Sequence, residues 1–307
     1  MKFSNPHIII AGVNKAGTTS LFTYLSNHPS ICPSSVKETC YFLPLRYQKE
    51  LQPFEVYKNY FNNCDGTNYY LESTPGYFYG GNPLVSAIKE KLPGVKLIFA
   101  LRNPVERIIS FYQFKKNQLE LPAEMAIEDY IDKCISYSRK EFTNQSLNPY
   151  FGIEGGKYID YIKDWELFKS KDMLFVDFEH MKSNPQACLP AICSWLKLDS
   201  SFYNSYDFQI ENKSMAIKNR GMQKFALKIN KGFEPFLRKN ESIKKSLRSI
   251  YYRVNGSKSK ELISEATIES LEQYYKAYNQ QLANYFVLKE RKDMPGWLSD
   301  YIKEPIN

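Results

Sequence analysis

Ile8-Ile9-Ile10-Ala11-Gly12-Val13-Asn14-Lys15-Ala16-Gly17-Thr18-Thr19-Ser20 is the stretch on which the reading of this 307-residue chain turns. Residues 7–11 form a short β-branched run that Gly12 closes. Residues 18–27 then carry helical spacing, with Leu21, Tyr24, Leu25 and His28 on one side. A strand, a glycine-flanked loop and a helix start therefore follow one another. Gly12 and Gly17 have the G-x-x-x-x-G spacing of a phosphate-holding loop, in which backbone N–H groups and a helix N-terminus face an anion. Thr18 and Thr19 add hydroxyl donors in the first turn. A nucleotide triphosphatase loop instead has Lys directly after the second Gly, then Ser or Thr on Mg²⁺. Here Thr18 takes that place and Lys15 lies inside the loop. The plainer alternative is a strand–helix turn whose glycines are incidental.

Outward from this loop the alternation continues. Residues 69–72 read as a strand, 82–91 as a helix and Val95–Leu101 as another strand. That last strand ends in Arg102-Asn103, not in the Asp that would hold Mg²⁺ in a triphosphatase. Asn103 suits a helix N-cap, Pro104 the first helical position, and Glu106 the partner position of a capping box. Arg102 at a strand end and Ser110 two turns into the next helix make a reasonable clamp for a second phosphate. The alternative is a surface Arg and a solvent-facing Ser. Further along come a helix at 156–169, a strand at Met173–Val176, a Pro-interrupted helix at 185–197 and a long amphipathic helix at about 262–287, with 140–155 as a long loop. Strands alternating with helices argue for an α/β fold with parallel strands and crossover helices. No linker separates two cores, so residues 1–307 read as one domain, with an α/β core at 7–200 and a mainly helical part at 210–307.

With 43% apolar and 24% charged residues the chain is globular. Its longest apolar runs fall well short of the ~18 residues of a membrane helix. Residues 1–6 carry no signal-peptide core, so a cytoplasmic protein with reduced thiols is expected. The six Cys show no CxxC pair, which argues against a zinc ribbon. The formal charge of +8 is concentrated: residues 220–260 hold twelve Lys or Arg against Glu234 and Glu241, so the remainder is near −2. Phe225, Ile229, Phe233, Leu247 and Ile250 are among the apolar residues interleaved there. This composition suits peripheral contact with an anionic membrane, a polyanionic acceptor, or simply a solvated helical face; no motif points to nucleic acid.

Taken together, Lys15-Ala16-Gly17-Thr18-Thr19-Ser20-Leu21 and Leu101-Arg102-Asn103-Pro104-Val105-Glu106-Arg107-Ile108-Ile109-Ser110 resemble the two cofactor motifs of the sulfotransferases that use 3′-phosphoadenosine 5′-phosphosulfate (PAPS). Lys37-Glu38, Glu72-Ser73-Thr74-Pro75, Gly156-Lys157-Tyr158 with Trp165, and Phe178-Glu179 follow in the family's order. The resemblance covers residues 7–200 well and the rest loosely. It implies a three-layer P-loop-like fold and sulfuryl transfer without a metal, with PAP as product. Lys15, Ala16, Gly17, Thr18, Thr19 and Ser20 would hold the 5′-phosphosulfate, and Arg102 and Ser110 the 3′-phosphate. The run from Glu211 to Gly221 resembles a cofactor-closing region, which brings in Arg220 and Gly221. Lys15 would also relieve charge on the leaving phosphate.

None of the three His stands where a general base belongs: His7 opens the first strand, His28 ends the first helix, and His180 is far down the chain. Glu38 matches the base of the carbohydrate-type enzymes, and a partly buried Glu with a raised pKa suits that work; the plainer alternative is a loop Glu paired with Lys37. Lys37, Glu72 and Ser73 would lie on the acceptor side, with Glu72 either positioning acceptor hydroxyls or merely ending a strand. Tyr158 and Trp165 are expected in the core. Cys40 stands where carbohydrate-type sequences often have His, and Ser73 where they often have Lys. A glycan or glycolipid acceptor is the resulting expectation, set against a P-loop kinase or triphosphatase and against a non-catalytic PAPS-binding relative.

Overall fold

The computed structural model describes residues 3–62, 64–208, 216–233, 241–257 and 262–302. Five strands form one parallel sheet: β1 (His7–Gly12), β2 (Ile31–Pro33), β3 (Tyr69–Ser73), β4 (Lys96–Leu101) and β5 (Met173–Asp177), in the spatial order β2-β3-β1-β4-β5. β1 is central. It pairs with β3 from His7↔Tyr70 to Ile10↔Ser73 and with β4 from Ile8↔Lys96 to Gly12↔Phe99. Every residue of β1 is buried, as a parallel strand covered on both faces requires. The chain builds one side of the sheet with β2 and β3, then crosses to the other with β4 and β5. The carboxyl ends of β1 and β4 therefore flank the point where strand order reverses, which is where open α/β sheets hold ligands.

Helices α1 (Thr18–Ser26), α2 (Phe54–Lys58), α3 (Gly81–Lys91), α4 (Pro104–Asn117), α5 (Ile127–Ile135), α6 (Tyr158–Ile162), α7 (Phe178–Ser183) and α8 (Pro185–Leu196) flank the sheet. Leu21, Tyr24, Leu25 and His28 are all buried, as the helical spacing predicts. Asn103 caps α4 by accepting from the N–H groups of Val105 (2.9 Å) and Glu106 (3.4 Å). Glu106 does not close a capping box; its carboxylate turns to Arg102 at 3.1 Å. The helix expected over 156–169 is divided into α6 and a 3-10 turn at Lys163–Leu167. On that turn Trp165 is buried and its Nε1 donates to Phe78 O at 3.1 Å; Tyr158 is buried as well. Pro190 does not interrupt α8, which is continuous. β2 and α5 lie in stretches too short or too mixed for periodicity to mark, and the expected loop at 140–155 contains 3-10 turns at Arg139–Thr143 and Gln145–Tyr150.

Two short strands, β6 (Ala216–Ile217) and β7 (Gly256–Ser257), pair antiparallel and bracket α9 (Arg220–Gly232) and α10 (Glu241–Asn255). The last helix, α11 (Glu265–Leu288), is part of the core: Leu271, Tyr275, Leu282 and Phe286 are buried, and Tyr275 donates to Ile153 O at 2.9 Å. The expectation of reduced thiols is corrected here. Cys32, on edge strand β2, is joined to Cys64, in the loop before β3, with their Cα atoms 5.4 Å apart. The two lie 32 residues apart in sequence, so only the fold brings them together.

Candidate active site

The carboxyl ends of β1 and β4 open into a cleft of about 850 Å³, within the range of small-molecule sites. Its floor is the loop between β1 and α1. Gly17 begins α1 in the left-handed region (φ 72°), and a Cβ there would stand 2.7 Å from Phe178 and from Met181. Only glycine fits that position. No side chain caps α1, and its first turn carries no acidic residue. The helical ladder begins with Leu21 N–H donating to Gly17 O at 3.1 Å, so the amides of Thr18 and Thr19 have no intrahelical acceptor. Those amides, with the positive end of the helix dipole, form an anion-accepting floor. Lys15 also adopts a left-handed backbone (φ 72°), and its ammonium lies 4.4 Å from the centre of the Phe114 ring.

The second motif forms the adjoining wall. Arg102 leaves the end of β4 and donates from Nη1 to Lys15 O at 3.4 Å, which ties the two motifs together. It stacks over Phe178 at 4.7 Å and makes ion pairs with Glu106 (3.1 Å) and Glu179 (3.4 Å). A phosphate held by Arg102 must therefore compete with two carboxylates. Ser110 lines the cleft from α4, and the same face continues to Gln113, Phe114 and Asn117. That face was legible from helical spacing once Ser110 was placed on it.

Glu38 stands on the rim. Its backbone (φ 63°) and that of Cys40 (φ 54°) are both left-handed, which presents the segment as a sharp loop. The burial expected of Glu38 is absent: 49% of its side chain is exposed, and Lys37 pairs with it at 2.7 Å. Glu72 accounts for the shape of the loop beneath it. It is fully buried, and its carboxylate accepts from Thr39, from Thr74 (2.8 Å), from Tyr77 (2.8 Å) and from Tyr57 (3.0 Å). Burial pushes its pKa up, while these four donors oppose that shift. Cys40 N–H donates to Thr74 Oγ1 at 3.2 Å, and Phe42 N–H to the Tyr77 hydroxyl at 3.1 Å. Glu72 is thus the hub of a polar network that holds residues 39–42.

Lys15, Gly17, Thr18, Thr19, Ser20, Glu38, Arg102 and Ser110 are brought together around the cleft. Ala16, Lys37, Glu72, Ser73, Arg220 and Gly221 do not line it. Ala16, Glu72 and Ser73 are buried beneath it. Arg220 donates to Leu121 O at 3.2 Å, and α9 reaches the cleft through Gln223. Glu211 through Ser214, the start of the expected cofactor-closing run, lie outside the described residues. His7 is buried at the opposite end of β1, and burial lowers its pKa to about 3. Sequence reasoning missed Arg46, Tyr47, Asn148 and Phe151, which also line the cleft. The aromatic density around them was visible, but their convergence depends on two 3-10 turns remote in sequence.

The sulfotransferase domain family matches residues 5–286. The chain belongs to the sulfotransferase family. It is 29% identical over 216 residues to bifunctional heparan sulfate N-deacetylase/N-sulfotransferase 1 of Caenorhabditis elegans, covering 67% of this chain and 24% of that protein. Over 142 residues it is 33% identical to the membrane-associated sulfotransferase kil1 of Dictyostelium discoideum, covering 42% of this chain and 30% of that protein. The chain spans about a quarter of the length of the curated relatives it matches. A sulfotransferase from Alicyclobacillus acidocaldarius has the same fold, with a TM-score of 0.58 at 19% identity, covering 78% of this chain and 96% of that one. The sulfotransferase has a central parallel sheet flanked by helices, as the α/β alternation and the resemblance predict. The cytoplasmic expectation does not stand. Similar proteins include a membrane-associated sulfotransferase, and the Cys32–Cys64 disulfide does not suit a reducing compartment. Among the described residues no helix is long and apolar enough to cross a membrane.

Proposed function

We propose that the chain moves the sulfuryl group of PAPS to a hydroxyl or amine of a carbohydrate, on a glycan or a glycolipid. One observation carries the reading: the two anion-holding motifs converge at the ends of adjacent strands, and a carboxylate, Glu38, stands on the rim of the same cleft. The donor set suits a nucleotide with phosphates at two positions. The Gly17–Ser20 turn and Lys15 would hold its 5′ end, and Arg102 with Ser110 its 3′-phosphate. PAPS supplies the sulfuryl group and leaves as PAP. Lys15 would stabilise negative charge on the leaving side. Glu38 would take the proton of the acceptor; its exposure leaves it open to an acceptor from solvent, and Lys37 holds it in place. Residues 1–307 would form one sulfotransferase unit, with α9 and α10 lining the cleft through Gln223 and Tyr252.

Stabilisation by PAP in the absence of Mg²⁺, followed by transfer of labelled sulfate from PAPS into a panel of glycans, glycolipids and phenols, tests this reading. Stabilisation only by ATP with Mg²⁺ would overturn it. A second proposal concerns residues 220–260, part of which (234–240 and 258–260) lies outside the described residues. Helix α9 exposes Met222, Phe225, Ile229 and Phe233 along one face, beside exposed lysines. That pattern supports contact with an anionic membrane surface.

A further inference from the structure

We propose that Arg46 is the residue that selects the acceptor, holding a carboxylate or sulfate group carried next to the hydroxyl or amine that receives the sulfuryl group. This rests on the sulfuryl-transfer reading above and names the acceptor's chemistry.

Arg46 lies on the 3-10 turn Leu43–Tyr47 and lines the cleft. Its guanidinium is centred 4.4 Å from the Phe151 ring and 5.5 Å from those of Tyr47 and Tyr79. Each ring is itself fixed. Phe151 is buried, Tyr79 donates to Gly155 O at 2.8 Å, and Asn148 donates to the Tyr47 hydroxyl at 2.8 Å. The guanidinium is thus pre-oriented by three faces that offer it no hydrogen-bond acceptor, so its N–H donors remain for a ligand.

The ion pairing of Arg46 differs from that of Arg102, Lys115 and Lys182 around the cleft. Arg102 is matched by Glu106 and Glu179, Lys115 by Glu120, and Lys182 by Glu179. No carboxylate pairs with Arg46 among the described residues. A half-buried, pre-oriented guanidinium without a counter-ion suits bidentate binding of two oxygens of a carboxylate or sulfate group. It lines the same cleft but belongs to neither of the two motifs assigned to the donor, so the anion it would meet is the acceptor's. Asn148, which donates to the Tyr47 hydroxyl, lines the same cleft.

The test uses two matched probes with labelled PAPS. One is a hexasaccharide of alternating glucosamine and glucuronate; the other is the same hexasaccharide with its carboxyls reduced to primary alcohols. The full chain should show a KM at least about tenfold lower for the carboxylated probe, as expected for one charge-assisted hydrogen-bonded pair. Arg46→Gln should raise the KM for the carboxylated probe to within about twofold of the neutral one and leave stabilisation by PAP unchanged. Arg46→Lys should recover part of the difference. An unchanged preference in Arg46→Gln overturns the proposal, and so does wild-type transfer to the neutral probe alone or to neither. If PAP still stabilises the protein in those cases, the assignment of the donor site survives. If PAP fails to bind, that assignment fails first.

Discussion

Glu38 and Glu72 are two carboxylates on neighbouring segments with opposite surroundings. Glu38 is half-exposed and paired with Lys37, whereas Glu72 is sealed in a cage of four hydroxyl donors. The exposed one can meet an acceptor, and the buried one cannot. Glu38→Gln should therefore keep its stabilisation by PAP and lose turnover by about 10²–10⁴, the range for removing a positioned general base; a variant that retains turnover would remove Glu38 as the base. Lys15→Ala removes a cation from the anion floor. It should weaken PAP binding and lower kcat by about 10²–10³, as deleting one charge-stabilising donor does. His7 offers a test of folding instead. It sits among Phe3, Tyr57, Phe61 and Tyr70, its Nε2 has no partner among the described residues, and its pKa is lowered to about 3. Its ordinary value is about 6.5, so between these values the unfolded chain binds a proton that the native chain does not. Stability must then fall as pH drops below about 6.5, by about 2 kcal/mol between pH 7 and pH 5 from this group. His7→Phe should flatten that part of the profile in urea unfolding measured at the two pH values; an unchanged slope would exclude His7 as its source.

The elements that bear the two motifs were legible because each carries its own local signal. β1 is an unbroken apolar run closed by a glycine, and α4 announces itself with Asn103 and Pro104. Lys15, Thr18, Arg102 and Ser110 follow directly from those elements. What escaped the sequence depends on contacts between segments. Glu72 was weighed as an acceptor-positioning residue or a strand end, but Thr39, Tyr57, Thr74 and Tyr77 make it a hub, and no spacing rule collects those four. Arg46 and Phe151 meet because two 3-10 turns about a hundred residues apart in sequence pack together. The three-residue strand β2 is too short for periodicity, and with it went the disulfide that ties it down. Closing a loop with a separation of 32 residues removes enough unfolded-chain entropy to stabilise the fold by about 3–4 kcal/mol. Reduction, or the Cys32→Ser and Cys64→Ser double substitution, should lower stability by an amount of that order, read as a shift of the urea midpoint. A midpoint unmoved by reductant would show that the bond does not form in the protein.

At the scale of the whole molecule, charge and cofactor chemistry are separated. The cleft is lined by a few placed cations, and Arg102, Lys115 and Lys182 among them have carboxylate partners. The surplus of positive charge lies in residues 220–260. Within that segment α9 has two faces. One docks on the body: Gln223 is buried and donates to Asn117 O at 2.6 Å, next to the cleft. The other presents Phe225 (65% exposed), Ile229 (44%) and Phe233 (60%) at four-residue spacing, and α10 adds exposed Leu247, Ile250 and Val254. Apolar side chains on one helix face, flanked by Lys224 and Lys228, match the requirements of an anionic lipid surface, where each basic residue contributes about 1 kcal/mol and the apolar face adds its burial. Because α9 also borders the cleft, such docking would bring the cleft close to the membrane. The chain should sediment with vesicles rich in phosphatidylserine and not with phosphatidylcholine alone, and binding should weaken as salt rises. Phe225→Glu with Ile229→Glu should abolish sedimentation while stabilisation by PAP is kept, which separates loss of the surface from loss of the fold. Equal binding of the wild type to both kinds of vesicle, or unaltered binding by the double variant, would refute the membrane role and leave the basic segment as a solvated face.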